Sequence, residues 1–362
     1  MAIKGLIRDV TSVTRVIKRR ERAHDNASTE PNTFDNIGEV ARALHPGKIS
    51  LSISDIRKEL DYTIIKLTGD KIPYFRPGQY LSLEFKYENY LTTRPYTLIS
   101  SPKHALRNDK YVEIAIKNVG NTSKYLCESL KVGDSLNAEI ALGNFTYEPL
   151  RDSKNVYAIA EDINTSFIRS YALSIIDGVI DCNLTILKLK NNKLIDSFIP
   201  ECERINVIEI DSINDIKNHL SNDNSYFISG SSKFTHEVAD ILSENGIQNR
   251  RIRKDYYDSI ISDDVKNDNS IYEIEVLRGI ESTIIKANAN ETIAVALEKN
   301  NIRIHTACRN GICGACRIKL IDGEVYIPSD NENRRKMDIE YGYVYACHTY
   351  PKGNLKIKIS IN

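Results

Sequence analysis

Apolar positions fall at helical spacing near the start of the chain and at β-like spacing along most of its remaining length. Leu6, Ile7, Val10, Val13 and Ile17 recur at helical intervals, and Phe34, Ile37, Val40, Ala41 and Leu44 form a second stripe that stops before Pro46. The spacing predicts two helices joined by a polar loop over residues 27–32. From Lys48 the texture changes to short β-rich runs at 49–56, 62–67, 80–85, 95–100 and 111–117. Turn signals such as Arg76-Pro77-Gly78 separate them, which is how a small antiparallel barrel reads. A helix fits residues 122–130. Strand candidates at 156–160, 184–189, 205–210 and 226–229 then alternate with helices near 167–176 and 235–244, a pattern that predicts a parallel sheet. An aspartate-rich polar run comes next, and then two strands (272–277, 282–287), an apolar helix (291–299) and a loop rich in cysteine.

These changes of texture define a multidomain α+β chain. We divide it into a helical N-terminal extension (1–46), an antiparallel β-barrel (47–150), an α/β segment (151–257), a linker (258–270) and a C-terminal segment (271–362). A length of 362 residues suits two or three domains, and 41% hydrophobic residues allow each an ordinary core. Lys+Arg and Asp+Glu both number 49, so no global field recruits nucleic acid or an anionic membrane. The basic end of the first helix, Arg15 and Lys18 to Arg22, is the exception. No apolar run has membrane-spanning length and no signal-peptide core is visible, so membrane insertion is not expected. Cys127, Cys182 and Cys202 are scattered without a pairing pattern, which suggests a reducing compartment and a cytoplasmic protein.

The other four cysteines carry the strongest chemical signal. Cys308, Cys313, Cys316 and Cys347 are spaced C-x4-C-x2-C…C, the spacing of a plant-type [2Fe–2S] centre held by four thiolates. Gly311 and Gly314 let a short loop fold tightly, so that its amides can point at sulfur. The alternatives are a zinc site or buried structural cysteines. Zinc sites usually pair C-x2-C with a second such pair or with histidines.

Two further elements concern an anion. Arg94-Pro95-Tyr96-Thr97 sits on a predicted barrel strand, and Gly120-Asn121-Thr122-Ser123-x-x-Leu126 opens a predicted helix. Helix N-termini expose unpaired amides and bind phosphate, and the Ser and Thr hydroxyls add donors. Singly, Thr122 or Ser123 reads as an ordinary cap and Arg94 as a surface charge.

Together these elements resemble the ferredoxin–NADP reductase superfamily, with its R-x-Y-[ST] and G-x-x-S-x-x-L motifs. Phe75-Arg76-Pro77-Gly78-Gln79-Tyr80 is similar to that family's F-x-P-G-Q-Y strand start, and Gly143-Asn144-Phe145 to its G-x-F turn. The resemblance implies an FAD-binding barrel. Arg94 would pair with the pyrophosphate, Tyr96 would pack along the isoalloxazine and Thr97 would lie near N5, with Pro95, Gly120, Asn121, Thr122 and Ser123 completing the site. The segment from Ala307 to Arg317 resembles the plant-type ferredoxin core A-C-R-x-G-x-C-G-[TSA]-C, which implies a β-grasp ferredoxin domain with a [2Fe–2S] cluster. The order of segments over residues 48–362 is that of NAD(P)H:[2Fe–2S] flavoprotein reductases that feed partner proteins.

The α/β segment departs from this pattern. The family's first βα turn is glycine-rich, so that backbone can approach a pyrophosphate. Here it reads Ala160-Glu161-Asp162-Ile163-Asn164-Thr165-Ser166-Phe167, with carboxylates expected to face the phosphates. The later C-G-P element is Ser229-Gly230-Ser231. Two functions are therefore expected to compete. One is an oxidoreductase that passes electrons between FAD, the cluster and a protein redox partner with NAD(P)H use in doubt; the other is an ordinary NAD(P)H-dependent reductase. No catalytic acid, base or nucleophile is visible. The N-terminal arm is expected to be a docking element.

Overall fold

The computed structural model describes residues 13–18, 47–108, 110–329 and 332–360. The chain divides into two units, Met1–Pro46 and Gly47–Asn362. In the first, residues 13–18 are helical, and Val13, Val16 and Ile17 are at least half exposed. The rest of the first stripe, and all of the second, lie outside the described residues.

The second unit contains three sheets. The first is antiparallel, built from β1 (Lys48–Glu59), β2 (Tyr62–Thr68), β3 (Tyr80–Tyr87), β4 (Tyr90–Thr97), β5 (Tyr111–Lys117) and β6 (Ser135–Leu142) in the order β4-β3-β6-β1-β2-β5. A bridge from Leu98 to Ile114 joins the two outer strands and closes the barrel. Its core follows the period-two rule of strands: Leu51 and Ile53, Leu81 and Leu83, Val112 and Ile114 all point inward. Helix α1 (Asn121–Ser129) is anchored on this core by Leu126, whose burial contributes about 1.5–3 kcal/mol. The strand expected at 95–100 in fact begins at Tyr90. Tyr87 pairs with Tyr90 across a two-residue loop, and Glu88 takes φ 51° there without the glycine that would have signalled the hairpin.

The second sheet is parallel, with β7 (Asn155–Ala160), β8 (Asn183–Leu189), β9 (Ile205–Ile210), β10 (Ser225–Gly230) and β11 (Ile252–Tyr256) in the order β11-β10-β7-β8-β9. Helix α2 (Ser166–Ile176) covers one face through Phe167, Ile168 and Tyr171. The short α3 (Leu194–Phe198) joins the same side and packs Leu194 and Phe198 against Tyr62 and Ile64 of the barrel. Helix α4 (Ser232–Glu244) covers the other face through Val238 and Leu242. The direction of winding reverses between β7 and β10. In open α/β sheets ligands bind in the crevice at that reversal, beyond the carboxyl ends of the strands.

The span read as a linker contains a helical turn, α5 (Asp263–Lys266), and its side chains are engaged. Asp258 accepts from Ser232 N at 2.6 Å, Ser259 Oγ lies 3.0 Å from His348 Nδ1, and Ser262 N donates to the Tyr326 hydroxyl. The third sheet comes after it: β12 (Ile271–Arg278), β13 (Glu281–Asn288), β14 (Arg317–Asp322), β16 (Tyr343–Tyr345) and β18 (Leu355–Ile359), in the order β13-β12-β18-β14-β16. A two-stranded ribbon pairs β15 (Val325–Tyr326) with β17 (Tyr350–Pro351). Helix α6 (Ile293–Lys299) lies on the sheet through Ile293, Ala294 and Leu297, and α7 (Lys336–Glu340) precedes β16. A parallel β12–β18 pair within an otherwise antiparallel sheet, crossed by one helix, is the expected β-grasp arrangement.

Candidate cofactor sites and the crevice between them

The four motif cysteines converge on one another. Cys316 Sγ and Cys347 Sγ are 3.2 Å apart. Cys313 N points at Cys308 Sγ at 3.4 Å, and hydrogen bonds from the Cys313 and Cys347 thiols hold the Cys308 thiol far below its usual range. Ala315 N and Cys347 N also point at sulfur, at 3.4 and 3.5 Å. Gly311 has φ 77°, and a Cβ there would come within 2.6 Å of the His348 ring. Loop and ring therefore fit only through glycine. Four convergent thiols with backbone amides aimed at their sulfurs are the donor set that a two-iron cluster takes, so the residues fit that group.

The flavin motifs also meet in space. A Cβ on Gly78 would collide with the Phe145 carbonyl, so the Pro77-Gly78-Gln79 turn lies directly on Gly143-Asn144-Phe145. Gln79 Nε2 donates to Ala141 O and Gly143 O at 2.9 and 3.0 Å. Pro95, Tyr96 and Thr97 lie half-buried along β4. Gly120 opens α1, Ser123 Oγ accepts from Gly120 N and donates to Gly120 O at 3.1 Å, no carboxylate occupies the first turn, and Asn121, Thr122 and Ser123 are at least partly exposed. That helix start fits an anionic group.

Arg94 is more enclosed than its motif suggested. Its Nη1 donates to Thr92 Oγ1 and Thr93 O at 2.5 and 2.7 Å, and burial, then the nearby Arg309, lowers it to about 10. Glu298 on α6 binds both terminal nitrogens of Arg309, at 2.6 and 2.8 Å, and accepts from Thr92 Oγ1 at 2.9 Å. Thr306 and Thr93 join their hydroxyls. The cysteine loop is thus tied to the flavin strand through a buried charge pair. Sequence reasoning missed Glu298 because a glutamate near the end of an amphipathic helix ordinarily faces solvent.

A second bridge joins His305 Nε2 to Glu139 Oε2 of β6 at 2.9 Å. The bond raises His305 above its ordinary value against an opposing burial effect, and lowers Glu139. Both groups are partly exposed, so the pair contributes under about 1 kcal/mol. That contribution is full below the unfolded histidine value, about 6.5, and is lost as pH rises through the raised one. Toward acid it fades again as Glu139 protonates. His305→Ala should flatten the stability profile between about pH 6 and 8 in thermal unfolding. A profile identical to that of the natural chain would mean that the pair does not contribute.

At the crevice between β7 and β10 the carboxylates behave differently from expectation. They do not face open space. Glu161 Oε2 accepts from Ser231 N and Ser231 Oγ at 2.9 and 2.7 Å, bridging the reversal point. With Asp258 on Ser232 N, two carboxylates occupy the start of α4. Asp162 takes φ 51°, keeping the left-handed backbone a glycine would supply, and turns its carboxylate to Tyr62 and Lys117 of the barrel. Asn164 folds back on Glu161 O. Nearby Asp255 is half-buried and pushed up to about 7, chiefly by its partial burial.

Fold and donor sets define a flavin- and iron–sulfur-dependent oxidoreductase. The "2Fe-2S iron-sulfur cluster binding domain" family matches residues 279–352, and the "oxidoreductase FAD-binding domain" family matches residues 53–147. The chain is 22% identical over 316 residues to the "NADH oxidoreductase HCR" of Escherichia coli (strain K12), covering 81% of this chain and 92% of that one. It is 22% identical over 331 residues to the "Glycine betaine monooxygenase reductase subunit" of Chromohalobacter salexigens, covering 79% and 87%. The solved phthalate dioxygenase reductase, a modular structure for electron transfer from pyridine nucleotides to [2Fe-2S], superposes with a TM-score of 0.67 at 17% identity, covering 87% of this chain and 98% of that one. The chain thus combines an FAD-binding oxidoreductase domain with a C-terminal [2Fe–2S] cluster-binding domain, in the fold of that reductase. Among the described residues no helix is long and apolar enough to cross a membrane.

Proposed function

We propose that the chain passes electrons between FAD and a [2Fe–2S] cluster, and on to or from a protein redox partner, without efficient use of NAD(P)H. Cys308 with Cys313 and Cys316 with Cys347 would each hold one iron. Arg94, Pro95, Tyr96 and Thr97 would line the flavin, and Gly120, Asn121, Thr122 and Ser123 would receive its phosphates. Flavin supplies the ability to take two electrons together and release them singly. The protein's part is to position and to tune, and no side chain is assigned acid–base chemistry.

The observation that carries the doubt about nicotinamide is Glu161 bound across the reversal point to Ser231. A dinucleotide entering there must break two charge-assisted hydrogen bonds, at about 1.5–3 kcal/mol each. The sum, about 3–6 kcal/mol, lowers affinity by roughly two to four powers of ten. The carboxylates act by occupying the site and its donors rather than by repelling phosphate across a gap. The relative named as an NADH oxidoreductase favours the second reading, an ordinary NAD(P)H-dependent reductase supplying a partner enzyme. Anaerobic titration with NADH and NADPH separates the two. We expect negligible flavin bleaching by either nucleotide, and faster bleaching in a Glu161→Gly/Asp162→Gly variant. Rapid bleaching of the natural chain would establish the ordinary reductase.

A further inference from the structure

Beside the cysteine loop lies a cavity of about 360 Å³ lined by Gly314, Ala315 and Cys316 together with Arg303, Arg317 and Arg335. Its charge is one-sided. The carboxylate in the lining is Asp338, which is buried and already bound by Arg317 Nη1 at 2.9 Å and by the Tyr345 hydroxyl at 2.8 Å. Arg317 also stacks on Tyr343, 4.6 Å from the ring centre. His305, at the rim, is turned to Glu139. Arg303 and Arg335 are exposed and form no ion pair among the described residues, and Lys336 continues the basic run. Three guanidinium groups thus meet one carboxylate, beside a loop whose Cys313 is exposed.

Exposed arginines held open around a concave surface are suited to carboxylate, because their planar forks bind it bidentately. We infer that this hollow is where electrons leave or enter the cluster, and that it receives an acidic patch of the partner protein. The inference rests on the cluster assignment proposed above. It adds the sign and the residues of the contact. A chain with equal numbers of acidic and basic residues has no long-range attraction of its own, so the local excess here supplies the steering. Field strength at such a site is screened within a Debye length, about 10 Å at 0.1 M salt. The selection therefore operates at the last step of approach, next to the exposed cysteine.

Charged one-electron acceptors test the sign directly. The holoprotein, its iron and sulfide content measured first, is reduced with dithionite and mixed by stopped flow with anionic hexacyanoferrate(III) or cationic hexaammineruthenium(III). Cluster oxidation is followed by its own absorbance. We expect the hexacyanoferrate rate to fall several-fold between about 20 and 200 mM salt, and the ruthenium rate to hold or rise. In Arg303→Glu/Arg335→Glu the low-salt hexacyanoferrate rate should drop about tenfold while the ruthenium rate does not fall. Oligo-aspartate should slow hexacyanoferrate on the natural chain and leave the variant unaffected. Salt-independent oxidation, or equal rates in variant and natural chain, would overturn the docking surface with the cluster intact. A preparation lacking iron and sulfide would instead overturn the cluster assignment, and the exit with it.

Discussion

Cys313→Ser should yield a purified chain that keeps its flavin and loses its iron. Cys313 is the exposed member of the Cys308 pair, and its amide and that of Ala315 both point at sulfur. Serine keeps the size but replaces a soft thiolate by a hydroxyl that stays protonated near neutral pH, leaving one iron with a single thiolate. Loss of groups that merely support a ligand costs metal sites 10–100-fold in affinity, so removing a ligand should cost at least that. The residues assigned to flavin lie on β4 and at the start of α1, outside the cysteine loop. Iron, labile sulfide and flavin per chain, measured on one preparation, decide the matter. Natural iron content in the variant would refute the ligand set, and joint loss of flavin would mean that the two sites fold as one.

Glu298→Ala should be strongly destabilising although it lies outside the hydrophobic cores. The Arg309 side chain is 10% exposed, and Glu298 supplies both of its short contacts while also accepting from Thr92. Truncation leaves a buried guanidinium with Arg94 already desolvated beside it, and breaking such a pair costs about 3–5 kcal/mol. Glu298→Gln, which retains an acceptor for Thr92, should cost less. The urea midpoint of cluster bleaching reads the difference. If alanine left that midpoint in place, the pair would not hold the cysteine loop to the flavin strand.

Much of this architecture was legible in the chain because its signals are local. The parallel sheet announced itself through apolar runs such as 205–210, which the structure reproduces as β9, and the barrel through alternation along β1 and β3. Cys308, Cys313 and Cys316 fall within one loop, the Arg94 motif within one strand and the Gly120 motif at the start of one helix. The strand β6, the edge strand β11 and the helix α3 were not read. Ser135-Leu136-Asn137 and Ile252-Arg253-Lys254 mix polar and apolar residues because part of each strand is exposed, and α3 is too short to show a period. The destinations of Glu161 and Asp162 were beyond reach for a different reason. Their partners Ser231, Tyr62 and Lys117 are distant in sequence, and a carboxylate's partner is chosen only when the sheets assemble. The sequence thus revealed that glycine was missing from the turn without revealing what the substituted side chains would do.

The segment from Asp258 to Ser262 is stitched to α4 through Ser232, to the residue after the last cysteine through His348, and to β15 through Tyr326. A connector fastened at three points must break all three bonds before it can act as a swinging arm. In the arrangement the structure describes, the cysteine loop rests against the flavin strand, and the search for an encounter falls to the incoming partner.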